Sequence, residues 1–137
     1  MQIEGRCYCG AVAYEAVGEP FIRAQCHCRE CQYMTGGHPL VALGMPRQGF
    51  VYTKGSPATF QRTDIDNATV REFCPHCGTH LVSKPANMPT GVLIRVGTLD
   101  DPTVFGKPEL AIYTGDAQSF HSVPADIPYF DKVPPAK

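Results

Sequence analysis

All seven cysteines of this 137-residue chain fall in three short clusters. They are Cys7-Tyr8-Cys9-Gly10, Cys26-His27-Cys28-Arg29-Glu30-Cys31 and Cys74-Pro75-His76-Cys77-Gly78. The N-terminus, Met1-Gln2-Ile3-Glu4-Gly5-Arg6, lacks the basic-then-apolar pattern of a secretory leader. The chain is therefore expected in the cytoplasm, where disulfides do not persist. Clustered thiols there serve as metal ligands or reactive groups.

The third cluster carries the strongest local signal. A C-x-x-C turn followed by glycine points two thiolates at one ion, and structural zinc takes four ligands in a tetrahedron. Residues two apart on a strand face the same side, so Cys7 and Cys9 can supply the other pair. Cys7, Cys9, Cys74 and Cys77 then form a closed four-cysteine zinc site; a C-x-x-C redox pair is the competing reading. Cys26, Cys28 and Cys31 remain. Three thiolates on one loop can hold a second zinc with an open fourth position, the mark of a catalytic site. They can equally be closed by His38 or another histidine, and spacing alone does not choose between these or exclude another pairing of the clusters. Three soft donors suit holding a fourth thiolate in nucleophilic form better than generating hydroxide. A thiol attacking an aldehyde carbonyl is the chemistry that fits.

The rest of the composition sets the frame. The length implies one domain, 1–137, with a proline-rich extended tail over 122–137. A net charge of −1 and the absence of a basic run argue against nucleic acid as a partner. The longest apolar stretch, Leu40 to Met45, is far short of a membrane span, so no membrane partner is expected. Thirteen prolines and thirteen glycines are spread along the chain and leave little room for long helices. Short strand-like runs separated by turn signals predict an all-β domain. They are Gln2–Tyr8, Ala11–Ala16, Phe21–Cys26, Leu40–Met45, Phe50–Thr53, Ala58–Thr63, Thr69–Phe73, His80–Lys84, Val92–Val96 and Leu110–Thr114. One helical turn is expected over Arg29–Met34. Phe50, Tyr52, Phe60, Phe73 and Tyr113 are expected in the core, and Tyr8 is expected to point away from its flanking ligands.

These cysteine motifs, in this order, resemble the glutathione-dependent formaldehyde-activating enzymes, which share a domain with centromere protein V. The matching pieces are Gly5 to Val12, Cys26 to Cys31, Thr35-Gly36-Gly37, Arg71 to Thr79, Gly97-Thr98-Leu99-Asp100 and the segment from Phe120 to Phe130. The resemblance implies a β-tent of short antiparallel sheets pinned by zinc at Cys7, Cys9, Cys74 and Cys77. It implies a second, catalytic zinc on Cys26, Cys28 and Cys31 with an open position. The implied reaction joins formaldehyde and glutathione into S-hydroxymethylglutathione, formally a carbon–sulfur lyase run in reverse. The family often carries Trp near position 120; this chain has none, and Phe120 there is expected to keep an apolar wall while losing the indole donor.

Around the second cluster, His27 and Arg29 can relay a proton or attract substrate carboxylates, or simply face solvent. His38 can be a ligand, a base or a surface residue. Thr35 can touch substrate or shape a turn. Arg71 can pair with a substrate carboxylate or with an acidic residue across a strand. Two other functions compete with the lyase reading. One is a thiol redox enzyme of the methionine sulfoxide reductase type, with one of Cys26, Cys28 and Cys31 as nucleophile. The other is a non-catalytic binding module whose zinc ions are structural.

Overall fold

The computed structural model describes residues 1–135. The last two positions of the expected proline-rich tail, 136 and 137, lie outside the described residues. Ten strands form two sheets. The smaller orders β1 (Gln2–Arg6), β2 (Ala13–Val17) and β5 (Phe50–Lys54) as β1-β2-β5. The larger contains β3 (Ile22–Cys26), β4 (Leu40–Pro46), β6 (Ala58–Phe60), β7 (Val70–Phe73), β8 (His80–Lys84), β9 (Gly91–Arg95) and β10 (Leu110–Ile112). Its order is β10-β3-β4-β9-β8-β7-β6. One α-helix, α1 (Arg29–Thr35), links β3 to β4 where the sequence predicts a helical turn.

The sheets close over a shared apolar core. Ile3, Tyr14 and Ala16 of the small sheet meet Leu43, Met45, Val82, Val92 and Ile94 of the large one, all 5% exposed or less. Each large side chain sealed there contributes about 1.5–3 kcal/mol. Strand β4 explains why Leu40–Met45 is the longest apolar run. Leu43 and Met45 face this core, while Leu40 and Ala42 pack with Cys31 of α1 on the other side. A strand covered on both faces reads as continuous rather than alternating hydrophobicity. Gly5 permits a close approach in the core: a Cβ there would lie 2.2 Å from the Tyr14 hydroxyl oxygen and 2.5 Å from the Thr98 carbonyl.

Three expectations need correction. The sheets are not wholly antiparallel, because β10 pairs with β3 in parallel. No tight turn joins these two strands, so nothing forces the antiparallel sense a hairpin would impose. Strand β1 ends at Arg6, so Cys7 and Cys9 sit in a turn, not on a strand. Phe60 is 53% exposed and outside the core, at the edge strand of the sheet. The chain beyond β10 packs alongside it. The Ala111 amide donates to the Pro128 carbonyl (3.0 Å), and the Phe130 amide donates to the Ala111 carbonyl (3.0 Å). Among the described residues no helix is long and apolar enough to cross a membrane.

Candidate functional site

The thiols gather in two places. The Sγ atoms of Cys7, Cys9, Cys74 and Cys77 all lie within 4.8 Å of one another. Cys7–Cys9 and Cys9–Cys74 are 3.7 and 3.8 Å apart. Four sulfurs at about 2.3 Å from a tetrahedral ion are separated by about 3.8 Å, so the spacing fits a closed zinc-type site. Two glycine-ended turns build it. Gly10 (φ 79°) and Gly78 (φ 78°) take the left-handed conformation. Their amides close the turns onto the Cys7 carbonyl (3.1 Å) and the Cys74 carbonyl (2.9 Å). The freed amides turn toward sulfur: Val12 N–H donates to Cys7 Sγ (3.3 Å), and His76 N–H donates to Cys74 Sγ (3.3 Å). The Thr79 hydroxyl, 3.1 Å from Cys77 Sγ, and the Thr79 amide are the main groups holding that thiol down at about 5. Tyr8 points away into solvent at 91% exposure, as expected, and its amide donates to the Thr79 hydroxyl (3.1 Å).

Cys26, Cys28 and Cys31 form the second cluster, again with Sγ atoms within 4.8 Å. Cys26 ends β3, Cys28 caps α1 and Cys31 lies in its first turn. The Cys31 amide donates to Cys28 Sγ (3.2 Å), which places both sulfurs on one side of the helix start. Hydrogen bonding from the Cys26 and Cys31 thiols holds Cys28 far below the ordinary thiol range, and the same sharing pushes Cys26 up. Among the described residues no fourth Cys, His, Asp or Glu joins this group. The three thiols instead line a cavity of about 470 Å³, with Arg29, Glu30, Arg71, Ser83 and Tyr113 among its other walls.

The flanking residues separate into those at this cavity and those away from it. Arg29 is exposed and stacks over the Tyr33 ring at 5.0 Å. Arg71 is 8% exposed and pairs with Glu30 of α1 at 3.0 Å, so its partner is helical rather than cross-strand. Thr35 and His38 do not line the cavity; the Thr35 hydroxyl donates to the His38 carbonyl and shapes the turn after α1. His38 is exposed and is not a fourth ligand to the three thiols. Phe120 is 62% exposed and stands outside the cavity, so it supplies no wall there.

His27 departs furthest from a solvent-facing residue: it is fully buried. Gln25 Nε2 donates to His27 Nε2 (2.9 Å), so the His27 proton sits on Nδ1. That proton goes to His121 Nδ1 at 2.9 Å, which also accepts from the Gln118 amide. His121 therefore carries its own proton on Nε2 and donates it to the Gly37 carbonyl (2.7 Å). Burial, then the neighbouring His121, lowers the His27 pKa. This chain of bonds fixes the Cys26–Cys28 loop from behind, and Gln32 Nε2 adds a bond to the His27 carbonyl (2.8 Å).

A family model for the glutathione-dependent formaldehyde-activating enzyme matches residues 2–116. The chain belongs to this family. Its fold is similar to a crystal structure of a Rhodobacter sphaeroides protein, with a TM-score of 0.62 at 18% identity over 93% of this chain and 99% of that one. No curated protein matches the sequence. Family membership accounts for the cysteine motifs but leaves several site residues unexplained. Gln25 and Gln32 have no local sequence signal, since their role depends on burial behind the loop. Tyr113, expected in the core, lines the cavity instead with a left-handed backbone (φ 54°). Such strain in a bulky residue costs on the order of 1–3 kcal/mol and is typical of functional sites.

Proposed function

We propose that this protein is a zinc enzyme that joins glutathione and formaldehyde into S-hydroxymethylglutathione, formally a carbon–sulfur lyase acting in either direction. The observation that carries the reading is the convergence of Cys26, Cys28 and Cys31 on one cavity with no fourth protein ligand among the described residues. Cys7, Cys9, Cys74 and Cys77 would hold a structural zinc and Cys26, Cys28 and Cys31 a second, catalytic one; the soft, closely spaced donor sets fit that ion. Zinc on three thiolates supplies a place to bind a substrate thiol and keep it deprotonated near neutral pH.

The protein's own groups do the rest. The thiol sulfur attacks the aldehyde carbon, a C–S bond forms, and the carbonyl π electrons move to oxygen, which takes up the proton lost by the thiol. The cavity brings the two reactants together and so converts a bimolecular encounter into a positioned one. Arg29 at the rim and Arg71 in the wall offer guanidinium donors for glutathione carboxylates. His27 acts by holding the ligand loop, since its ring bonds lead away to Gln25 and His121. Thr35 and His38 act through the turn that follows α1. The reaction is placed in the cytoplasm, where glutathione is abundant and these thiols stay reduced.

The test is the rate of adduct formation from glutathione and 13C-labelled formaldehyde, followed by exchange NMR. Wild-type protein should accelerate it, and Cys28→Ser should reduce the rate to the uncatalysed level while the protein stays folded. A Cys28→Ser protein as fast as wild type would overturn the assignment.

A further inference from the structure

Arg95, at the end of β9, is 6% exposed. Its Nε, Nη1 and Nη2 are all buried, and among the described residues none has a hydrogen-bond partner. Buried polar groups are rarely left this way, and a buried charge is rarer still. The neighbouring cations are matched: Arg71 pairs with Glu30 at 3.0 Å and Lys84 with Glu72 at 2.9 Å. Arg95 has no such carboxylate.

Its position says what it faces. Arg95 is two residues beyond Leu93, and alternate residues of a strand share a face. Leu93 packs against Cys31, Leu40 and Ala42, and the Cα of Arg95 pairs with Ala42. Burial pulls the Arg95 pKa down to about 10; Cys31 works against that pull, the neighbouring Arg71 charge adds to it, and Cys26 and Cys28 oppose it more weakly. The guanidinium therefore stays charged at neutral pH, on the face of the sheet that packs against the three-thiol cluster.

We propose that Arg95 is the buried counter-charge of the Cys26/Cys28/Cys31 centre, a positioning residue that holds a metal–thiolate group in place without touching substrate. The inference rests on the reading that these thiols hold zinc. A divalent ion on three thiolates carries a net charge of −1, and a substrate thiolate makes it −2. A fixed cation in the dry layer below offsets that growing charge and so favours the thiolate form of the substrate. Outer groups of this kind tune the ion as well as its ligands.

The test measures zinc affinity at the two sites of the full-length chain by competition with a chromophoric chelator, using Cys28→Ser to identify the four-cysteine site alone. Arg95→Met should weaken the second site about 10- to 100-fold and leave the four-cysteine site unchanged, and Arg95→Lys should restore most of the loss. Two zinc ions of unaltered affinity in Arg95→Met would overturn the proposal while leaving the second site intact. A wild-type chain that binds zinc only at the four-cysteine site would remove the centre itself, and the proposal with it. In the Cys28→Ser background Arg95→Met should raise the melting temperature, because it deletes a buried charge that has lost its counterpart. A fall there would show that Arg95 serves the fold, and would also overturn the proposal.

Discussion

His27 and His121, 94 positions apart, share a hydrogen bond of 2.9 Å between their Nδ1 atoms. The bond ties the loop carrying two of the three cavity thiols to a segment beyond the last strand. His121→Ala removes the acceptor and leaves the His27 Nδ1–H buried without a partner, which should cost about 1–3 kcal/mol. Urea unfolding checks it. An unchanged midpoint would mean that water replaces the ring without loss.

The same burial has a pH consequence. The His27 and His80 pKa values are both lowered, chiefly by burial, so the unfolded chain binds protons at these sites before the folded one does. Their contribution to stability is present above the unfolded value of about 6.5 and is lost as pH falls through the lower folded values. Both imidazoles should stay neutral in the folded protein below pH 6.5, read from their ring proton shifts by NMR. Titration of either at the ordinary value would contradict the burial argument.

The two thiol clusters should fail differently. Cys9→Ser breaks a set that joins turns 65 residues apart in sequence. It should lower the melting temperature by more than about 10 °C, corresponding to a few kcal/mol in a domain of this size. Cys28→Ser breaks a set held on one loop and helix, and should shift melting far less. Calorimetry on the two variants checks this, and equal losses would contradict the division into a pinning site and a cavity site.

Gly5→Ala should be among the most damaging small substitutions. Its Cβ would meet the Tyr14 hydroxyl oxygen at 2.2 Å and the Thr98 carbonyl at 2.5 Å, with backbone on one side and a fully buried ring on the other. Overpacking of this kind costs about 1–3 kcal/mol or more. A chemical-denaturation midpoint within error of wild type would show that β1 can move away.

Tyr113 offers a cleaner backbone test. Its φ of 54° suits glycine and strains any other residue. Tyr113→Gly should therefore be about 1 kcal/mol more stable than Tyr113→Ala, the reverse of the usual order, with equal loss of the ring in both. The usual order, with alanine the more stable, would show that the local backbone relaxes once the ring is gone.

The sequence by itself determined the two metal-type clusters and the β class. Cysteine spacing is local, so Cys74-x-x-Cys77-Gly78 and Cys26-x-Cys28-x-x-Cys31 declare their geometry without reference to the rest of the chain. The frequent glycines and prolines likewise exclude long helices through backbone sterics alone. Even the error about Cys7 and Cys9 is local: a strand and a glycine-ended turn both bring residues two apart to one side, and only the Gly10 conformation separates them. Tertiary structure decided what surrounds the thiols. Whether His27 faces water or the interior depends on His121, held by Gln118, arriving from a segment 94 positions away. The parallel pairing of β10 with β3 arises because no hairpin constrains it. Arg95 reads in sequence as an ordinary strand cation, and only burial without a carboxylate gives it a meaning. Desolvation and long-range pairing are properties of the assembled chain, and no local pattern encodes them.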